Sequence, residues 1–214
     1  MIRHIIFDFD GTIVHSRPLI SKIYNRAAQK HGYRPIREDD QGPFAGHSIT
    51  QRRKALGIPL YRMPALGLNV VLGYHRGIEN LEVKPGIGEL IDQLHEKGYP
   101  LSIISSNLER NIRAFLQNKG IDHFEQIRSA RSLFGKHRAI RSFLKRNDLK
   151  AEEVLYIGDE LRDIKAGRRT GVHVVSAAWG YDSLESMRRI SPDFTVSRPT
   201  EVLTAIQRFD AMTT

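Results

Sequence analysis

At 214 residues, the chain can hold one large domain, or a core with a small inserted one. Its net charge of +9 favours anionic partners, but the basic residues are scattered, as in Arg52-Arg53-Lys54, Arg168-Arg169 and Arg188-Arg189, so dedicated nucleic-acid binding is disfavoured. No apolar run approaches the ~20 residues of a membrane span, and the absence of cysteine excludes disulfides and thiolate zinc sites and suits a reducing cytoplasm.

The apolar run Ile5-Ile6-Phe7 predicts a buried strand close to the N-terminus, with no signal peptide before it. Asp8-Phe9-Asp10-Gly11-Thr12 follows directly, so two carboxylates at i and i+2 leave the C-terminal end of that strand. Ligands of open parallel sheets sit at such ends, and glycine allows a sharp exit there. A calcium loop does not fit, because it needs glycine sixth and a flanking helix, whereas here glycine is fourth and a strand precedes.

Residues His15 to Val83 read as helices only, at about Pro18–His31, Ser48–Leu56 and Ala65–Glu79, the last weakened by Gly67, Gly73 and Gly77. From Lys84-Pro85-Gly86 onward, helices and strands alternate. Ile87, Leu90, Ile91 and Leu94 form one helix face closed by Gly98, and Leu101–Ile104 is a strand. A helix over Glu109–Lys119, a short strand at Glu125–Arg128 and a helix over His137–Arg146 come next. Strands at Val154–Ile157, Val172–Val175 and Phe194–Val196 precede a last helix containing Val202, Leu203 and Ile206. This alternation predicts an α/β fold, a doubly wound parallel sheet carrying an inserted helical domain. The expected boundaries are 1–14 and 84–214 for the core and 15–83 for the insertion.

Ser105 ends the Leu101–Ile104 strand, where a hydroxyl can donate to an anionic oxygen without adding charge. Ser106 and Asn107 follow at the start of the next helix, where they can cap it while its free N–H groups attract an anion. Lys136 lies just before a helix, and Gly158-Asp159-Glu160-Leu161-Arg162-Asp163 brings further acids to the end of the Val154–Ile157 strand. Asp159 could simply cap the helix that stops before Gly171, but capping does not explain a cluster of acids.

Together, Asp8-Phe9-Asp10-Gly11-Thr12, Ser105, Lys136 and Gly158–Asp163 occur in the order of four motifs, and the chain resembles the haloacid dehalogenase-like superfamily over nearly its whole length. The second aspartate with Gly-Thr resembles the phosphatase form rather than the dehalogenase branch. The helical insertion is similar to that superfamily's cap, and Ala178-Trp179-Gly180-Tyr181 fits the phosphoglycolate-phosphatase-like group. The resemblance implies a Mg²⁺-dependent phosphatase acting on a small phosphorylated metabolite. It makes Asp8 the nucleophile that becomes an aspartyl-phosphate, Asp10 the acid/base, and Ser105 and Lys136 the phosphoryl-binding groups. It implies Mg²⁺ held by Asp8, the Asp10 carbonyl and Asp159, with Asp163 holding a metal-bound water or Lys136. Thr12, Ser106 and Asn107 would face the substrate. Gly46, His47 and Arg52 of the cap would meet the leaving group, although a solvated helix face explains Arg52 equally well. His15 stands where relatives commonly carry aspartate. Two rivals stay open: a phosphosugar mutase on the same scaffold, and a basic binding protein that retains it.

Overall fold

The computed structural model describes residues 1–37, 49–130 and 135–212. Six strands form one parallel sheet: β1 (His4–Phe7), β2 (Leu101–Ser105), β3 (Phe124–Ser129), β4 (Val154–Gly158), β5 (His173–Ala177) and β6 (Phe194–Val196), in the order β3-β2-β1-β4-β5-β6. Each central strand alternates between two apolar layers, as a sheet covered on both faces requires. Ile5 and Phe7 of β1, Leu101 and Ile103 of β2, and Leu155 and Ile157 of β4 pack into one core. That core also takes in α4 (Ile87–Glu96), α5 (Glu109–Lys119) and α9 (Glu201–Met212). Ile6, Ile104, Val154 and Tyr156 face the other layer, with α6 (Lys136–Arg146) and α7 (Leu161–Thr170).

This strand order places the switch point between β1 and β4, where helices leave toward opposite faces and a crevice opens beyond the strand ends. Register brings the ends level: Phe7 pairs with Ile103 on one side and with Ile157 on the other. The C-terminal ends of these three strands therefore converge, bringing together Asp8 and Asp159, just beyond β1 and β4, and Ser105, the last residue of β2.

Between β1 and α4 the chain forms α1 (Arg17–His31), α2 (Ile49–Ala55) and α3 (Met63–Gly77), with a 3₁₀ turn at either end of α3. Tyr24, Ala28, Ile36, Leu56 and Ile58 make a small apolar cluster of their own there. The glycines that weaken the sequence case for α3 have a packing role. A Cβ on Gly73 would lie 2.9 Å from Ile23, and one on Gly77 2.7 Å from Leu19, so α1 approaches α3 over a glycine-lined groove. The two crossings into and out of this segment pair with each other. The His15 N–H donates to Glu82 O at 2.9 Å, and the Lys84 N–H to Ile13 O at 2.8 Å.

Two further differences from the sequence reading are local. Neither Ser106 nor Asn107 caps α5; its N-cap is Leu108, without a side-chain bond. A short helix, α8 (Leu184–Arg188), follows β5, and its five residues are too few to show periodicity.

Gly167 in α7 packs directly on β5, where a Cβ would stand 2.0 Å from Val174 Cγ2. Helix propensity alone favours alanine by ~1 kcal/mol, but a stiff β-branched neighbour in a filled layer reverses the sign. Gly167→Ala is expected to destabilise the fold by about 1–3 kcal/mol, read as a lower urea midpoint with unchanged slope.

Candidate active site

Asp8 stands one residue beyond β1, its N–H still donating to Ile157 O at 2.8 Å, and it is 1 % exposed. Lys136, the first residue of α6, donates from Nζ to Asp8 Oδ2 at 2.5 Å and to Asp163 Oδ1. The other Asp163 oxygen accepts the Glu160 N–H at 3.0 Å, which fixes the first turn of α7. Asp8 Oδ1 is buried and finds no partner among the described residues.

Asp159 follows β4 and is held from two sides. Thr12 Oγ1 donates to its Oδ1 at 2.7 Å, and the Tyr181 N–H donates to its Oδ2 at 2.6 Å. The fit leaves no room for a Cβ on either flanking glycine: one on Gly11 would lie 2.2 Å from Asp159 Oδ2, and one on Gly180 2.1 Å from Asp159 Cβ. Gly11 also has φ +86°, a left-handed conformation in which a Cβ is strained. Ligand atoms of Asp8, Asp159 and Asp163 lie within 4.8 Å of one another.

The electrostatics follow from this crowding. Burial, then Glu160 and Asp8, push the Asp159 carboxyl well above the ordinary range. Burial works against the Lys136 ammonium, but Asp163 and Asp8 outweigh it and keep it more basic than a free lysine. Asp10 is raised chiefly by burial, against the donors that bond it. Those donors reach both oxygens: Tyr74 Oη donates to Oδ1 at 2.6 Å, and Asn107 Nδ2 to Oδ2 at 2.8 Å. The two motif aspartates thus occupy different environments, Asp8 against an ammonium and Asp10 against neutral donors.

The structure brings together Asp8, Asp10, Ser105, Asn107, Lys136, Asp159 and Asp163. Ser105 is buried at the end of β2, and its Oγ accepts the Asn107 N–H at 3.3 Å. Ser106 is half-buried in the adjoining turn. Three of the expected substrate contacts are engaged within the protein. Thr12 donates to the buried Asp159 and Asn107 to the half-buried Asp10. Arg52 is not a solvated residue: it donates to Glu160 Oε1 at 3.2 Å and to Asp182 Oδ1 at 2.7 Å, its side chain 17 % exposed. Gly46 and His47 lie outside the described residues. Asp163 is engaged by Lys136 and the Glu160 amide, so of its two expected roles the structure shows the one toward Lys136.

Sequence reasoning missed Tyr74, and it noted Ala178–Tyr181 only for its family resemblance, giving Trp179 to Asp182 no place in the site. Tyr74 sits among apolar and glycine residues in α3 and reads as core. The later run carries one signal, its Gly-Tyr-Asp turn chemistry. Trp179 Nε1 donates to Thr12 O at 3.0 Å, and Asp182 Oδ2 accepts the Leu161 N–H at 2.8 Å, closing the wall beside Asp159.

The family described as haloacid dehalogenase-like hydrolase matches residues 5–177. A phosphoglycolate phosphatase of Synechococcus elongatus is 32 % identical over 203 residues, covering 94 % of this chain and 96 % of that one. A pyrophosphatase PpaX of Listeria monocytogenes is 25 % identical over 213 residues, covering 96 % and 97 %. Among solved structures, a haloacid dehalogenase-like hydrolase from Streptococcus pneumoniae superposes with a TM-score of 0.82 at 25 % identity, covering 96 % of this chain and 98 % of that one. The chain belongs to the haloacid dehalogenase-like hydrolase family. Within that family it is a phosphatase enzyme.

Asp159 supplies a prediction about stability. Its folded pKa is raised above the unfolded value, so without a cation its ionisation opposes folding increasingly as pH rises from about 4 toward the folded pKa. Asn can replace it with its oxygen toward the Tyr181 N–H and its amide toward Thr12, whose hydroxyl can turn to accept. Without divalent cations Asp159→Asn is expected to melt higher than wild type at pH 7, by on the order of 1–3 kcal/mol, with no gap near pH 4. Millimolar Mg²⁺ should close the pH 7 gap by stabilising wild type alone; differential scanning calorimetry at the two pH values checks both.

Proposed function

We propose that this enzyme hydrolyses a small phosphomonoester through an aspartyl-phosphate on Asp8, with Mg²⁺ as cofactor. In this reading residues 1–14 and 84–214 form the catalytic core and 15–83 the cap. The observation that carries it is the asymmetry of the two motif carboxylates: Asp8 has one oxygen on Lys136 and one buried oxygen without a partner among the described residues, while Asp10 is held by neutral donors.

The residues fit a hard divalent cation. A buried carboxylate oxygen without a donor, facing a second carboxylate whose ionised form is disfavoured, is a site that a cation would stabilise. Asp8, Asp159 and the Asp10 carbonyl would hold it. When bound, Mg²⁺ neutralises and orients the phosphoryl oxygens.

The protein's own groups account for the remaining chemistry. The Lys136 ammonium reduces repulsion between the Asp8 carboxylate and an incoming phosphate dianion. An Asp8 oxygen attacks phosphorus, the bond from phosphorus to the leaving oxygen breaks, and Asp10 gives that oxygen its proton. Asp10, now a carboxylate, takes a proton from water as water attacks the acyl-phosphate, releasing phosphate and restoring Asp8. Ser105 and the N–H groups of the turn before α5 lie at the phosphoryl end of the crevice. The cysteine-free composition suits action in the cytoplasm.

The cyanobacterial relative makes 2-phosphoglycolate the first substrate to test, with pyrophosphate second. Phosphate release from these and from a set of sugar phosphates is expected in Mg²⁺, to be lost in chelator, and not to be restored by Ca²⁺, whose looser shell misaligns the attack. Asp8→Asn should lower turnover at least about 10³-fold, equivalent to ~4 kcal/mol, without loss of folding. Conversion of a phosphosugar to its isomer without phosphate release would instead identify a mutase.

A further inference from the structure

Tyr74 is the least exposed residue of α3, at 3 %, on a helix whose Leu68 and Leu72 are 59 % and 47 % exposed. The helix therefore leaves apolar side chains in water while sending a phenol inward. A phenol is buried at little cost only where its hydroxyl is bonded, and this one ends on Asp10 Oδ1 at 2.6 Å. A phenol facing a carboxylate oxygen is the donor of this bond, and Asp10 Oδ1 is the acceptor.

The second Asp10 oxygen is held by Asn107, which is itself fixed. Its Oδ1 accepts from the Leu108 N–H at 2.8 Å and from Asn111 Nδ2 at 3.1 Å. Two donors on two oxygens define the plane of the carboxyl group. They come from different parts of the chain: Asn107 belongs to the core turn after β2, and Tyr74 to the cap.

We propose that Tyr74 is a positioning residue that aims the Asp10 carboxyl at the leaving-group oxygen only while the cap lies against the core. This rests on the phosphatase reading given above. With the cap displaced, Asp10 loses the Tyr74 bond and keeps Asn107 on its other oxygen, with the Ser16 hydroxyl of the crossing segment beside it, and its carboxyl plane is no longer fixed from the α3 side. Proton donation then becomes conditional on closure, so a water molecule entering the open crevice meets a poorly oriented acid/base. Misplacement of a reacting group by about an ångström is enough to lower a rate ~10²-fold.

The test uses Tyr74→Phe in the full-length enzyme, with Leu72→Ala on the exposed face of α3 as control. The ratio kcat/KM covers the steps through transfer to Asp8, where the leaving group matters. Release of an alkyl alcohol, from 2-phosphoglycolate or β-glycerophosphate, needs the Asp10 proton, whereas nitrophenolate needs little. Tyr74→Phe is expected to lower kcat/KM for the alkyl ester by about 10–100-fold and for p-nitrophenyl phosphate by less than about threefold, with Leu72→Ala near wild type on both. Equal losses on the two substrates, or none on either, overturn the proposal. An activity-independent arm follows amide exchange across residues 63–77. Tyr74→Phe and Asp10→Ala should each raise it about tenfold, and the double variant no further; additive increases overturn the contact itself. Wild-type protein that releases phosphate from neither ester overturns the phosphatase reading, an outcome seen before any variant is compared.

Discussion

The Lys136 ammonium, buried between Asp8 and Asp163, is the interaction on which the rest of the site depends. Carboxylates this close and this deeply buried could not all stay ionised in a folded chain without a cation among them. Lys136 holds one Asp8 oxygen and leaves the other bare, and through Asp163 it ties the start of α6 to the first turn of α7. The positive charge that makes the cluster tolerable is taken up by Asp8 Oδ2 and Asp163 Oδ1. It stabilises the pair without occupying Asp8 Oδ1.

The helices inserted between β1 and α4 are joined to this centre by two kinds of contact. Arg52 of α2 reaches Glu160 and Asp182 at the edge of the core, and Tyr74 of α3 reaches Asp10 at its centre. The first is an ion pair mostly screened from water, the second a neutral donor on a carboxylate. Glu160 also pairs with Arg162, so it retains a partner when Arg52 is away. Asp182, equally buried, likewise keeps the Leu161 N–H on its other oxygen, so neither acid depends on Arg52 alone.

Much of the fold was legible in the sequence because its signals are local. Strand runs such as Ile5–Phe7 and Val154–Ile157 carry uninterrupted apolar residues, and helices such as Ile87–Glu96 carry a clear apolar face closed by glycine. The carboxylates and Lys136 were legible because their spacing relative to strand ends is a motif. The contacts that Thr12, Asn107 and Arg52 make within the protein were not, since each is to a partner distant in sequence: Asp159, Asp10, and Glu160 with Asp182. Tyr74 was invisible for the same reason, a tyrosine in an apolar helix being indistinguishable from core until Asp10 is seen 64 positions earlier. Gly73 and Gly77 show the converse, since low helix propensity signalled close packing by α1 rather than a break.

The paired crossings at Ile13–His15 and Glu82–Lys84 have a consequence for how such a molecule can change. The chain leaves the sheet and returns to it at neighbouring points, bridged by two backbone hydrogen bonds that require no particular side chain. To the sheet, everything between those points is a closed loop, whatever its length or shape. A different set of helices could be spliced there with β1 and its carboxylates left in register. The inserted helices are therefore exchangeable, while the carboxylates at the strand ends stay fixed.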